Sequence, residues 1–303
     1  MRFDREGLLE LVREGVAHNA SDLLVRVGGR PSMRIDGALS PSRFPRVSSD
    51  DAARLVGELV RVSGVGGSAS APGRSCFVVE LSERDGTNRR VRVQLMRGRA
   101  GWGVQLHLIP SQVPRLEELS VPRALGEVTR GGGVTLLGGS RRRLLGASLV
   151  QACCQERPLS AVTIESPVEY LVEAGESWVV QRELGSDLAN VRKGVDEVRG
   201  EVIDLLYVGG DLDQESVIAA FEVASEGVSV VLAVRSGSAE EAVETLLRAI
   251  PSTDQRLQAA FERLFRGAHA LGPDGFESFG VELEQAEPVH LLEGRAGVLQ
   301  QVG

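Results

Sequence analysis

Apolar residues recur along this chain in two rhythms, and the change from one to the other divides it. The first part carries short amphipathic helices and antiparallel strands. Residues 5–17 place Leu8, Leu11, Val12 and Val16 on one helical face. Residues 22–28 and 33–37 predict two strands joined by a turn at Gly29, Arg30 and Pro31. A helix over residues 50–62 follows, with Ser49 as the capping candidate and Leu55, Leu59 and Val60 inward. Residues 64–73, rich in Gly, Ser and Ala, predict a flexible loop. A meander comes next, with strands over 76–81, 90–96 and 104–109 and a turn at Asp85 and Gly86.

From Gly131 onward, strand and helix alternate. Strands are predicted over 134–137, 161–164, 204–208 and 228–234, and helices over 145–155, 187–199, 213–226, 238–249 and 253–266. Such alternation implies a mainly parallel sheet covered by helices. Residues 110–114, with a proline at each end, break the pattern like an interdomain linker and lead into a helix over 115–129. Two domains result, residues 1–112 and 113–303, an organisation that 303 residues can support with two cores. The tail from Gly272 is weakly patterned, and there is no internal repeat.

Composition narrows the functional classes. A net charge of −8 argues against general nucleic-acid binding or attachment to a membrane surface. No apolar run is long enough to insert into a membrane, and no signal peptide is present. The three cysteines, Cys76, Cys153 and Cys154, have no metal-ligand spacing and no even disulfide framework, so a reducing cytoplasm is expected. Cys153 and Cys154 read as small buried helix residues.

The chemistry-bearing segment is Gly138, Gly139, Ser140, Arg141, Arg142, Arg143, Leu144 and Leu145, set between an apolar strand and a helix. That is the place of a phosphate-binding loop, whose pattern is glycine, four residues, glycine, lysine, then serine or threonine. Here the second glycine is Arg143, the lysine is Leu144 and the hydroxyl residue is Leu145. The one lysine of the chain is Lys193, which no glycine loop precedes. Leu144 offers no donor, so a charge-assisted contact of about 1.5–3 kcal/mol is missing. Leu145 offers no metal ligand. Left-handed backbone at Arg141 and Arg143 would cost about 1–2 kcal/mol each. Three adjacent cations at a helix N-terminus also oppose the helix dipole. A solvated loop, an acidic docking surface and an altered anion site are the three readings of that run.

Six collinear strings resemble the type IV pilus retraction (PilT-like) ATPases of the type II/IV secretion ATPase superfamily. Ala20-Ser21-Asp22-Leu23 with Arg34-Ile35-Asp36-Gly37 is similar to the N-terminal signature. Ile109-Pro110 with Leu116-Glu117-Glu118-Leu119 resembles the interdomain segment. Thr163-Ile164-Glu165-Ser166-Pro167-Val168-Glu169-Tyr170 is close to the acidic box, and Gln181-Arg182-Glu183-Leu184-Gly185 to the string that follows it. Val208-Gly209-Gly210-Asp211 falls on the Walker B segment, and Ala233-Val234-Arg235-Ser236 on the histidine box. The resemblance implies an α/β fold: a RecA-like P-loop NTPase C-terminal domain with a smaller α+β, PAS-like N-terminal domain. It also implies a hexamer with clefts between domains, homomeric or mixed with PilT-like ATPases. Such a ring would work in the cytoplasm against a platform protein of a pilus or secretion system at the inner membrane.

At the chemistry the chain departs from that pattern. Gly210 stands where the resemblance puts the catalytic glutamate, and Asp211 is the adjacent substitute. Asp204 is a carboxylate for the Mg²⁺ side or a strand-end charge. Glu165 and Glu169 survive in the acidic box, read either as groups near the γ-phosphate or as fold residues. Arg235 replaces the histidine by a permanent cation. Arg92 falls on an N-terminal-domain arginine that reaches phosphate in the family, and His107 replaces a second one. The expected function is a catalytically degenerate regulatory or structural subunit, with no cofactor. The alternative is an active or nucleotide-binding ATPase using ATP and Mg²⁺ at a non-standard site, with Glu165, Asp211 and Arg92 as the catalytic candidates.

Overall fold

The structure, a computed structural model, describes residues 3–63, 76–83, 86–128, 130–250 and 254–280. The loop expected over 64–73, the Asp85 end of its turn, and the tail beyond 280 lie outside the described residues. The chain divides into two compact units, Met1–Gln112 and Val113–Gly303.

In the first unit, helices α1 (Arg5–Ala17) and α2 (Ser49–Ser63) accompany strands β1 (Asp22–Arg26), β2 (Ser32–Ile35), β3 (Ala38–Pro41), β4 (Cys76–Ser82), β5 (Asn88–Gly98) and β6 (Gly101–Leu108). The strands form one antiparallel sheet in the order β3-β2-β1-β6-β5-β4. Leu8, Leu11, Leu55 and Leu59 of the helices pack on Leu23, Val79, Val93 and Leu106 of the sheet. Each such buried side chain contributes about 1.5–3 kcal/mol relative to exposure. The cap of α2 is Ser48 rather than Ser49. Its hydroxyl accepts from Asp51 N while the Asp51 carboxylate accepts from Ser48 N, a reciprocal capping box. Strand β3 follows a turn at Asp36 and Gly37, both at positive φ, and has no counterpart in the apolar pattern.

In the second unit the helix expected over 115–129 does not form. A 3₁₀ turn at Glu117–Leu119 ends on Ser120 in the left-handed region, and Pro122 separates it from α3 (Leu125–Val128). Then come β7 (Gly133–Gly138), α4 (Arg142–Glu156), β8 (Ser160–Glu165), β9 (Trp178–Glu183), α5 (Val191–Val198), β10 (Leu205–Val208), α6 (Gln214–Ser225), β11 (Ser229–Ala233), α7 (Ala239–Ala249), α8 (Gln255–Leu264), β12 (Phe265–Gly272) and β13 (Gly275–Phe279). Helix α8 stops at Leu264, short of the expected 266, because the chain passes directly into β12. Helix α5 starts at Val191 rather than 187, since the Asn190 side chain accepts from Lys193 N and sets its start.

The seven strands run β13-β12-β7-β11-β10-β8-β9, parallel except for the terminal β12–β13 hairpin. This is the α/β architecture expected of a RecA-like domain, and the first unit is the smaller α+β domain. Strand alternation sorts the side chains by face. Val134, Leu136, Val162, Ile164, Leu206, Val208, Val230 and Leu232 meet the core formed with α5 to α8. The residues between them, Thr135, Leu137, Thr163, Glu165 and Tyr207, point to the opposite face. Helix α4 lies on that side, where Gly146 meets Tyr207. No helix of the described residues is long and apolar enough to cross a membrane.

Candidate nucleotide site

In an open parallel sheet, functional groups gather at the carboxyl ends of the strands. The turns after β7, β8, β10 and β11 carry, in order, residues 138–141, Ser166 and Glu169, Gly209 to Asp211, and Arg235. Two of the sequence candidates lie elsewhere. Asp204 precedes β10 at the amino end of the sheet. There its carboxylate accepts from Ser160 N at 2.9 Å, and its own N–H donates to Ser160 O at 2.8 Å. A strand separates it from the carboxyl-end turns, so the Mg²⁺-side reading of Asp204 is corrected to a strand-end tie. Arg92 belongs to β5 of the first unit, in register between Val78 and His107. His107 Nδ1 lies 3.1 Å from Asp22 Oδ1, and Ser21 and Gln105 also donate to that carboxylate.

The loop after β7 is short and closed. Gly139 takes φ 84°, and a Cβ there would stand 2.3 Å from Leu271 O, so only glycine fits. Its N–H donates to Ser236 O at 3.1 Å; Arg141 N donates to Leu271 O at 3.0 Å, and Arg142 N to Gly139 O at 3.3 Å. Arg141 sits at φ −104°, and Arg143 is inside α4. The left-handed strain expected at both arginines therefore does not arise, because the helix begins at Arg142 rather than at the expected 145. Ser140 is exposed, and Leu144 and Leu145 are buried.

The three arginines are not equivalent. Arg143 makes an ion pair with Glu169, and its Nη2 donates to Ser166 O at 2.8 Å. Arg142 is half-buried, and among the described residues its side chain has no hydrogen-bond or ion-pair partner. Its guanidinium pKa is lowered by burial first, then by Arg143 and Arg235. Arg141 is exposed. The expectation of a three-arginine docking contact is corrected for Arg143, which is committed within its own chain.

Glu165 is buried, accepting from Thr163 Oγ1 at 2.6 Å and Gln181 Nε2 at 3.1 Å. Burial pushes its carboxyl up to about 7 against the pull of those two bonds. Glu169 is also buried. Gly209 N donates to Ile164 O at 2.8 Å. A Cβ on Gly210 would meet Leu184 Cδ1 at 2.9 Å and Val191 Cγ2 at 3.0 Å. Asp211 and Arg235 form a two-bond pair, Nε to Oδ1 at 2.7 Å and Nη2 to Oδ2 at 3.0 Å, and Arg235 holds the Asp211 carboxyl below its ordinary range. A cavity of about 230 Å³ opens beside that pair, bounded by Leu212, Val217, Ala233 and Leu246, and no residue of 138–145 lines it. Sequence reasoning missed Tyr207, a buried phenol beneath α4, because the motif strings assign that position nothing.

Over 258 residues the chain is 28% identical to the uncharacterized protein YggR of Escherichia coli K12, covering 81% of this chain and 74% of YggR. Identity is 24% to the type IV pilus ATPase PilU of Pseudomonas aeruginosa, over 80% of this chain and 63% of PilU. It is also 24% to PilT of the same organism, over 82% of this chain and 72% of PilT. This chain is a homologue of the type IV pilus ATPases PilT and PilU. The pilus retraction motor PilT with bound ADP superposes with a TM-score of 0.74 at 23% identity, over 97% of this chain and 88% of that one. The Legionella pneumophila ATPase DotB gives 0.73 at 22% identity, over 89% and 77%. PilT and DotB belong to the type II/IV secretion ATPase superfamily. No protein-family model matches the chain. Against these homologues the positions of interest are Leu144, Leu145, Gly210 and Arg235, where the P-loop lysine, its hydroxyl neighbour, the Walker B glutamate and the box histidine are expected.

Proposed function

We propose that this PilT homologue is catalytically inactive and acts by assembly, as a regulatory or structural subunit of pilus or secretion machinery. The closed phosphate loop carries the reading. P-loop binding needs backbone amides turned toward phosphate, with a lysine and a hydroxyl beside them. Here Gly139 N and Arg141 N are spent on the carbonyls of Ser236 and Leu271, and Leu144 and Leu145 offer neither donor nor metal ligand. Asp211 is tied to Arg235 and Gly210 brings no carboxylate, so the groups present do not suit ATP with Mg²⁺. Phosphoryl-transfer enzymes depend on positioning and electrostatics, so these losses compound.

The intact strands and helices serve subunit geometry, in a homomeric hexamer or a ring mixed with active PilT-like ATPases. A second reading, anion binding without turnover, is favoured by Arg142, half-buried and without a partner among the described residues. One experiment separates them: phosphate release with ATP and Mg²⁺, equilibrium binding of labelled ATP, and light scattering of the protein alone and mixed with an active PilT homologue. Inactive assembly gives no release, no binding, and a ring-sized mass in at least one setting. Binding without release supports the anion reading. Turnover abolished by Glu165→Gln or Asp211→Asn would overturn both.

A further inference from the structure

We propose that Arg143 is a built-in tie that takes the place of a ligand, holding the phosphate loop and the acidic-box segment together in one fixed arrangement. Its guanidinium starts in the first turn of α4 and reaches two points of the turn after β8, the Glu169 carboxylate and Ser166 O. At a helix N-terminus a cation faces the positive end of the helix dipole and calls for an anion; Glu169 supplies one. The pair is shielded: Glu169 is 2% exposed, so the interaction is little screened by salt.

The acidic-box segment is already fastened on its other side. Val168 N donates to Glu183 Oε2 at 3.0 Å, Gln181 Nε2 to Tyr170 O at 2.8 Å, and Val172 N to Gln181 Oε1 at 2.9 Å, all toward β9 and its end. Farther along, Glu173 N donates to Gln151 of α4 at 3.1 Å. Arg143 connects this segment to the end of α4 next to the phosphate loop. In a nucleotide-driven ATPase the bound phosphate and its metal bring such parts together, and release lets them part. Here a side chain does so permanently, at the position where the P-loop pattern has a glycine. A partner subunit would meet one shape of this face, whatever the nucleotide concentration. Because the tie replaces a ligand, it rests on the reading above that the working form carries no nucleotide.

Hydrogen exchange read by mass spectrometry on the full chain tests it. Removing Arg143 alone takes a cation from a buried carboxylate, so the informative variant is the double change Arg143→Gln with Glu169→Gln; Arg143→Lys keeps the charge but cannot reach two acceptors in a fork. Expected results are slow exchange over residues 138–146 and 166–173 in the wild type, unchanged by ATP with Mg²⁺. In the double variant both segments should exchange about tenfold faster or more, with β5 and β6 unaltered, and Arg143→Lys should fall between. Wild-type exchange in either segment of the double variant overturns the tie. If that variant loses protection throughout, Arg143→Lys decides, and exchange equal to wild type overturns the tie there too. Slowing of the wild-type loop by ATP with Mg²⁺ would sink the ligand-free reading instead, leaving the tie to the variants.

Discussion

The phenol of Tyr207 lies on the backbone of Gly146: a Cβ at position 146 would stand 2.4 Å from Tyr207 Cζ and 2.5 Å from its hydroxyl oxygen. A glycine inside a helix is destabilising by about 0.5–1 kcal/mol relative to alanine, and here it makes room for the ring. The Tyr207 hydroxyl has no hydrogen-bond partner among the described residues, and burial pushes its ionisation well above the usual range. Gly146→Ala should therefore destabilise by about 1–3 kcal/mol through overpacking, measured by urea unfolding. In a Tyr207→Leu background the same change should be neutral or stabilising. Tyr207→Phe should cost nothing or stabilise slightly, since the lost hydroxyl is unsatisfied. A wild-type background stabilised by Gly146→Ala would contradict the contact.

Two buried groups should oppose each other in pH dependence. Glu165 is raised from 4.5 to about 7, by burial first, with Glu169 adding and Thr163, Gln181 and Arg143 opposing. The native state then holds a proton that the unfolded chain has released, and stability falls as pH rises from 4.5 to 7. His269 is depressed by burial from 6.5 to about 4, so stability falls as pH drops from 6.5 to 4. Between pH 4.5 and 6.5 the two slopes, at most about 1.4 kcal/mol per pH unit each, cancel. Carboxylates held low, Asp22 and Asp211 among them, act below that interval. Urea midpoints of Glu165→Gln should rise with pH across it, and those of His269→Asn should fall. Slopes of the opposite sign would refute the assignment.

Restoring the missing P-loop pair, Leu144→Lys with Leu145→Ser, should leave phosphate release at background. Adding Gly210→Glu should not suffice, because the new Cβ must displace Leu184 and Val191. The double change also replaces two buried leucines by polar residues, at a cost of about 2–5 kcal/mol each, which a thermal melt would register. Recovery of hydrolysis by the double change would mean that the rest of the site is competent.

The Asp211–Arg235 pair has ideal geometry but side chains 75% and 69% exposed. Exposed pairs contribute about 0.2–1 kcal/mol. Asp211→Asn and Arg235→Ala should each shift stability by less than about 1 kcal/mol, and less still in high salt. A larger loss in either variant would point to a role beyond the surface pair.

The parts of the fold legible in the sequence are those buried on both faces. Strands β10 and β11 are continuous apolar runs, and the alternation around them points to one parallel sheet. Strand β9 escaped notice because it is a half-exposed edge whose residues, Trp178-Val179-Val180-Gln181-Arg182-Glu183, show no alternation. Strand β12 has no counterpart in the apolar pattern: its first two residues fall in the helix expected over 253–266, and Gly267, Ala268 and Ala270 around His269 carry no alternation. At the site, the linear strings fall at the turns after β7, β8, β10 and β11, but they do not carry the polarity of the strand at Asp204, which only the three-dimensional sheet direction decides. Nor could they tell Arg143 from Arg141 and Arg142. Helix phase and the fold of the Glu169 turn, both long-range, make that distinction.

The contacts of Gly139 and Arg141 with Leu271 also set an order in time. Chains emerge from the ribosome N-terminus first, and compact units form as they become complete. Strand β7, the loop and α4 are all made long before β12, yet the loop amide of Arg141 has its acceptor only when Leu271 arrives. During synthesis the Arg141 amide must wait, open to water, until β12 slides in beside β7. The loop is thus completed by a later part of the chain, and a chain halted before Leu271 would leave the Arg141 amide without the acceptor it has in the finished protein.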